Sequence, residues 1–298
     1  MIVPPRTRIA IVLLAILATT ATIAVCGSSK GKSKPTLPPP SEGNDRTTGS
    51  TSYPSALVTS RKLSAETVHR TSGRAFLVER QSPLRPTGDA LNYVQSLLPA
   101  SEAGDALATY GIFLAALDCG NTLSQAGRVY REMNPGQDPS EPGRQLDQTI
   151  RDLQECEGLL TSPFFQQRHW LELAAQQGSV EAMLMYPVNA DYVVDPMKDA
   201  SAVASRREDW KRESIVHLRN AASMGSADAL AALSDAYSRG IIVTPDPVEA
   251  FAYRTAFLHA SGHQGGTKRS SPPAENLNMA QRRQAALRRN QILTECCI

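Results

Sequence analysis

In "HLRNAASMGSADALAALSDAYSRG", spanning His217 to Gly240, Ala221, Gly225, Ala229, Leu233 and Tyr237 follow one another at steps of four. A step of four returns to the same face of an α-helix. A small residue there lets two helix axes approach, and a glycine permits the tight turn between them. The spacing therefore predicts two antiparallel helices in close contact, with Gly225 at the bend and Gly240 closing the second helix. Leu233 and Tyr237 continue its apolar face. Aromatic residues make up only 5% of the chain. A core resting on Ala, Leu, Ile and Val suits close-packed helices better than a β-sandwich.

The rhythm recurs. "WLELAAQQGSVEAMLMY" contains Trp170, Ala174, Ala175, Gly178 and Ala182, and "TPDPVEAFAYRTAFLHASG" contains Asp246, Ala250 and Tyr253. A weaker copy lies upstream, with Ala100, Gly104, Ala108 and Ile112. Trp170 corresponds to His217 and then to Tyr253, at intervals of 47 and 36 residues. A period in the mid-thirties marks a helix–turn–helix unit that stacks on its neighbours. The longer interval holds an insertion around "PVNADYVVDPMKDASAV", and "NPGQDPSEPG" interrupts the chain before Trp170.

Ala229, Leu233, Tyr237 and Gly240, with Asp246, Ala250 and Tyr253, resemble the Sel-one-like repeat, a relative of the tetratricopeptide repeat. The resemblance covers His217 to Ala260 and, less fully, Phe165 to Tyr186, and it is degenerate over Asp89 to Gly120. It implies an all-α fold, a short irregular α-solenoid of helix–turn–helix repeats. It also implies a concave helical surface offered to a protein or peptide partner, and many such bacterial proteins sit in the cell envelope.

The N-terminus reads as an address. Arg6 and Arg8 precede an uncharged run from Ile9 to Val25, and Cys26 follows. This is the outline of a bacterial export signal. Ile23-Ala24-Val25-Cys26 resembles a lipobox, which implies lipidation at Cys26, although Val25 stands where a small residue is usual. Three readings stay open: a lipoprotein held through Cys26, an uncleaved signal anchor, and cleavage with release. The uncharged run is near the lower limit for spanning a bilayer. All three place the body outside the cytoplasm, the first two anchored to a membrane and facing the periplasm. The expected organisation is a signal or anchor over 1–26 and a flexible Ser/Thr/Pro/Gly linker over 27–55. A partly ordered lead-in over 56–88, helical repeats over 89–262, and a loop with a C-terminal capping helix over 263–298 complete it. Some 30 linker residues would hold the body roughly 30 Å from a membrane.

Within the body, Leu91, Val94 and Leu98 place a short helix over Asp89 to Leu98, ended by Pro99. Leu146, Ile150, Leu153, Cys156 and Leu160 share one side of another helix. Cys119 and Cys156 lie on faces that a helical stack brings together, and an oxidising compartment favours a disulfide between them. Two buried free thiols are the alternative. Cys296 and Cys297 receive no role.

The search for chemistry returns little. The formal net charge is +2, from 31 basic and 29 acidic residues, too balanced to argue for nucleic acid. His259 and His263 share a helical spacing, but no third ligand stands near them, so no metal is expected. No cofactor-binding glycine loop and no nucleophile motif occurs. Glu155, Glu157, Glu208 and Asp209 read as solvated helix faces. In the last helix Met279, Ala286 and Leu293 at heptad spacing read as the packing side of a terminal capping helix. Arg282, Arg283, Arg288 and Arg289 make this end locally positive, with contact to anionic lipid or an acidic partner as the alternative. The leading expectation is a non-enzymatic interaction scaffold of the bacterial envelope. The alternative is an exported enzyme, such as a cell-wall-acting hydrolase, on a helical-repeat scaffold. A deep pocket gathering His, Asp or Glu would favour the enzyme.

Overall fold

The computed structural model describes residues 53–132, 142–167, 169–195, 199–262 and 277–298. Cys26, the signal or anchor segment, residues 27–52 of the linker expected over 27–55, and His263 lie outside the described residues, and the last three linker positions belong to a helix. The described chain is mostly helical. Its α-helices are α1 (Tyr53–Thr59), α2 (Ala90–Glu102), α3 (Ala106–Glu132), α4 (Pro142–Leu160), α5 (Pro163–Gln166), α6 (Trp170–Gln176), α7 (Val180–Met185), α8 (Ala200–Ser223), α9 (Ala227–Arg239), α10 (Pro247–Ala260) and α11 (Met279–Cys296). Two short antiparallel strands, β1 (Val68–Arg70) and β2 (Phe76–Val78), pair with Val68 opposite Val78 and Arg70 opposite Phe76.

Three helix pairs turn in the same way. At Gly178 and Gly225 φ is +100° and +101°, and at Gly104 it is +90°, conformations that glycine adopts at little cost. Each glycine N–H returns to a carbonyl three residues back, at Ser101, Ala175 and Ala222. The next N–H returns to a carbonyl five back, at Ala100, Ala174 and Ala221. This is the paired closure of a Schellman motif, which satisfies the carbonyls left over at a helix end. The residue that makes the second bond then caps the following helix: Asp105 accepts from Leu107 and Ala108, Ser179 from Ala182, and Ser226 from Ala229. The degenerate upstream copy thus repeats the local geometry of the other two. Its first helix differs from expectation, because α2 runs through Pro99 to Glu102.

The pairs pack in chain order, α8 on α9, α9 on α10 and α10 on α11, while α3 joins α2 and α4 to α6. Ala174, Ala182, Ala221 and Ala229 are fully buried at these crossings, and Trp170, Leu233, Tyr237, Ala250 and Tyr253 are buried beside them. Gly240 closes α9 in the left-handed region. Asp246 caps α10 through Val248 and Glu249. The segment Ala106–Arg128 is long and apolar enough to cross a membrane by length and composition. Here that apolar surface is used inside the body: Ile112, Phe113, Leu114 and Ala115 are buried in the core.

The Sγ atoms of Cys119, on α3, and Cys156, on α4, are joined, with Cα atoms 5.4 Å apart. Both residues are fully buried. The adjacent Cys296 and Cys297 are paired with each other. The C-terminal helix turns a different side inward from the one expected. Ala285, Ile292, Leu293 and Cys296 are buried, whereas Met279 is 81% exposed and Ala286 is exposed. Ala285 and Ile292 are also seven apart, one residue before Ala286 and Leu293, so the face set against α10 is the expected one turned by about 100°.

Candidate functional site

Residues 56–88, expected as a partly ordered lead-in, form a strap across the turns of the helix pairs. Arg61 meets the cap Asp105 at 2.9 Å. The carbonyl of Lys62 accepts from Val180 at 2.9 Å, and the Lys62 side chain lies over Gly178. Phe76 N–H donates to the Gly225 carbonyl at 3.0 Å, and its fully buried ring lies against Gly225. Ser72 N–H reaches the Ala260 carbonyl, and Arg74 N–H reaches that of Cys297 at 3.0 Å. One continuous segment therefore ties successive turns together along one edge.

Two acids receive the strap. Glu181 and Asp228 occupy equivalent positions, three residues after Gly178 and Gly225. Thr67 donates to Glu181 at 2.5 Å, and Val78 N–H donates to Asp228 at 2.7 Å. Burial pushes both carboxyls above the usual carboxylate range, with these hydrogen bonds pulling the other way. The sequence contained the signal, since G-S-x-acid-A occurs at both turns. An acid repeated next to small buried residues, in the first turn of a helix, marks a place where something donates to it.

Between the strap and α2, α3 and α7 lies a cavity of about 360 Å³. Glu181 is on its wall, 3% exposed, and Arg80 reaches it at 3.3 Å and Glu66 at 3.7 Å. Tyr93 and Tyr110 line the same space. Burial raises both phenols above their ordinary range, and neither hydroxyl has a hydrogen-bond partner among the described residues. The Tyr110 residue is only 5% exposed. Arg85 also borders the cavity, but its guanidinium is held by Asp118 at 2.9 Å and Glu155 at 3.0 Å. Glu155, expected as a solvated helix-face acid, is therefore paired. A hydrogen bond from Gly88 N–H and the Arg85 guanidinium hold its carboxyl below the usual range. Asp118, Cys119 and Cys156 sit close enough to suggest metal ligands. With the two sulfurs joined and Asp118 paired to Arg85, that cluster offers no free donor set.

A second polar group lies on α6–α8. Tyr186 donates to Glu213 at 2.5 Å, and Arg206 bridges Glu213 at 2.7 Å and Glu172 at 2.9 Å. His217 lies with its ring 4.8 Å from that of Tyr186, and its buried Nδ1 has no hydrogen-bond partner among the described residues. Trp210 turns inward and donates to the Tyr186 carbonyl at 3.0 Å. Val216, on the outward side of α8 between Glu213 and Arg219, is 53% exposed. Arg219 donates to Tyr237, whose ring stacks on Tyr253 at 5.8 Å. Arg288 pairs with Glu249 at 3.1 Å beside Tyr253. Glu208 and Asp209 pair with Lys211 and Arg212 at the surface.

The sequence pattern pointed to the alanines and the glycines, which recur at helical spacing, and offered the Cys119–Cys156 disulfide as one of two outcomes. It missed Thr67, Phe76, Arg80 and Arg85, which have no periodicity and act only through distant partners. Compared with known proteins, the chain matches no family model and no curated sequence.

Proposed function

We propose that this chain is a non-enzymatic protein-interaction scaffold of the bacterial cell envelope: an irregular α-solenoid of Sel-one-like hairpins, anchored through its N-terminus. Its partner is a protein or a peptide, and its work requires no cofactor, metal or nucleic acid. The observation that supports this reading is the repeated hairpin closure at Gly104, Gly178 and Gly225. Successive units made this way extend a surface rather than enclose one site. The outer side of α8 suits a contact, because exposed Val216 is framed by Glu213 and by Arg219.

The test is photo-cross-linking in intact bacteria from a benzophenone amino acid placed at position 216. We expect one reproducible protein adduct, lost in a Val216-neighbouring Arg219→Glu variant that folds normally. Absence of any reproducible adduct from position 216 and from position 212 on the same helix overturns the reading. The exported-enzyme alternative draws support from the Glu181 cavity alone. Both Glu181 oxygens already accept, one from Thr67 and one from Arg80. A carboxylate so engaged is a binding and positioning group rather than a free base.

A further inference from the structure

The cavity between the strap and α2, α3 and α7 is not needed by the scaffold reading, yet it is built as a site. Its volume of about 360 Å³ falls in the range of small-molecule pockets. Leu107 and Leu114 supply apolar floor, and the rings of Tyr93 and Tyr110 supply aromatic wall. The Tyr110 hydroxyl is the decisive atom. The Tyr110 ring is buried, while its hydroxyl stays accessible from the cavity, where water or a ligand meets it. That hydroxyl has no hydrogen-bond partner among the described residues.

The charges choose the ligand. On the lining Arg80 and Arg85 stand against Glu66 and Glu181, and behind the lining Asp118 and Glu155 neutralise Arg85 and leave the local sum negative. Both arginines are already engaged, so an anion entering the cavity meets committed donors and an excess of negative charge. A cation meets that excess, together with two phenol oxygens able to accept and two ring faces. We propose that this cavity binds a small organic cation, a primary amine or guanidinium on an apolar stem, with its charged end toward Glu181, Glu66 and the Tyr110 hydroxyl. Its stem lies against Leu107, Leu114 and the Tyr93 ring. Because the strap forms one wall, an occupied cavity also joins residues 64–87 to α2, α3 and α7 through the ligand.

The experiment is isothermal titration calorimetry of the full-length protein with phenethylamine, and with phenylethanol and 3-phenylpropanoate as neutral and anionic counterparts. Phenethylamine is expected to bind with Kd of about 1 mM or tighter. The alcohol should be at least tenfold weaker, and the carboxylate should give no heat. Glu181→Gln should weaken the amine about tenfold and Tyr110→Phe about threefold. Glu66→Gln, at an exposed mouth position where folding is not at stake, should weaken it about threefold. Glu172→Gln, outside the cavity, should leave it unchanged. Three results overturn the proposal: no saturable amine binding, carboxylate binding as tight as the amine, or amine binding indifferent to both Glu181→Gln and Glu66→Gln.

Discussion

Gly178 and Gly225 offer a matched pair for asking what the strap contributes. Both close a helix at nearly the same backbone angle, +100° and +101°. An alanine at either place takes on the same unfavourable conformation, at about 1–3 kcal/mol. Their surroundings differ. A Cβ at residue 178 meets the Lys62 side chain at 3.2 Å, and that flexible chain can move aside. A Cβ at residue 225 meets the Arg74 carbonyl oxygen at 2.8 Å and the Phe76 ring at 3.3 Å. The backbone oxygen is fixed by its place in the hairpin, and the ring is fully buried. Relief then requires shifting the strap, an overpacking cost of about 1–3 kcal/mol more. We therefore expect Gly178→Ala to cost about 2 kcal/mol and Gly225→Ala about 4 kcal/mol. For a body of this size the difference corresponds to a Tm lower by about 4–8 °C in the second variant. Urea unfolding followed by circular dichroism measures both. Limited trypsin digestion adds a local readout, since a displaced strap exposes Arg70 and Arg74 to cleavage under conditions where Gly178→Ala remains intact. Equal losses within about 0.5 kcal/mol, with no new cleavage at these arginines, would refute the claim that the strap is seated on the Gly225 turn.

Two further outcomes follow from the same geometry. Replacing Cys119 and Cys156 together with alanine opens the link between α3 and α4, which are 37 residues apart in sequence at that point; unfolding free energy should fall by about 4 kcal/mol. Reductant should lower the Tm of the parent chain and move the double variant, which keeps the Cys296–Cys297 link of adjacent residues, far less. His217 is held below its ordinary value by burial, with the Glu213 carboxylate opposing. The unfolded chain therefore binds this proton before the folded one does. Stability is complete above about pH 6.5 and declines as pH falls from there through the folded value. His217→Phe should flatten the slope between pH 6.5 and 5. An unchanged slope in urea melts across that window would show that another group titrates there.

The local rules were legible in the residues themselves. A glycine flanked by small residues at steps of four specifies a Schellman bend followed by a capped helix, because the backbone angle and the cap are decided within one turn of chain. The same holds for the alanine crossings, where the missing side-chain volume sets how near two axes come. The pairing of Cys119 with Cys156 was legible as one of two outcomes. What the residues did not specify was anything reached across the chain. Phe76 and Val78 look like an isolated apolar pair until Gly225 and Asp228 are set against them, 149 and 150 positions away in sequence. Glu155 looks like a solvated acid until the fold buries the Arg85 guanidinium, which would be costly to leave unpaired, against it. Likewise Met279 and Leu293 share a heptad, yet the surface of α10 chose Ile292 and Ala285 instead of Met279. Sequence by itself determined the helices and their bends, which depend on neighbours within a few residues. Only the tertiary structure decided the strap, the cavity beneath it and the charges around it, because burying a polar group or seating a ring is a property of the partners brought to it from far along the chain.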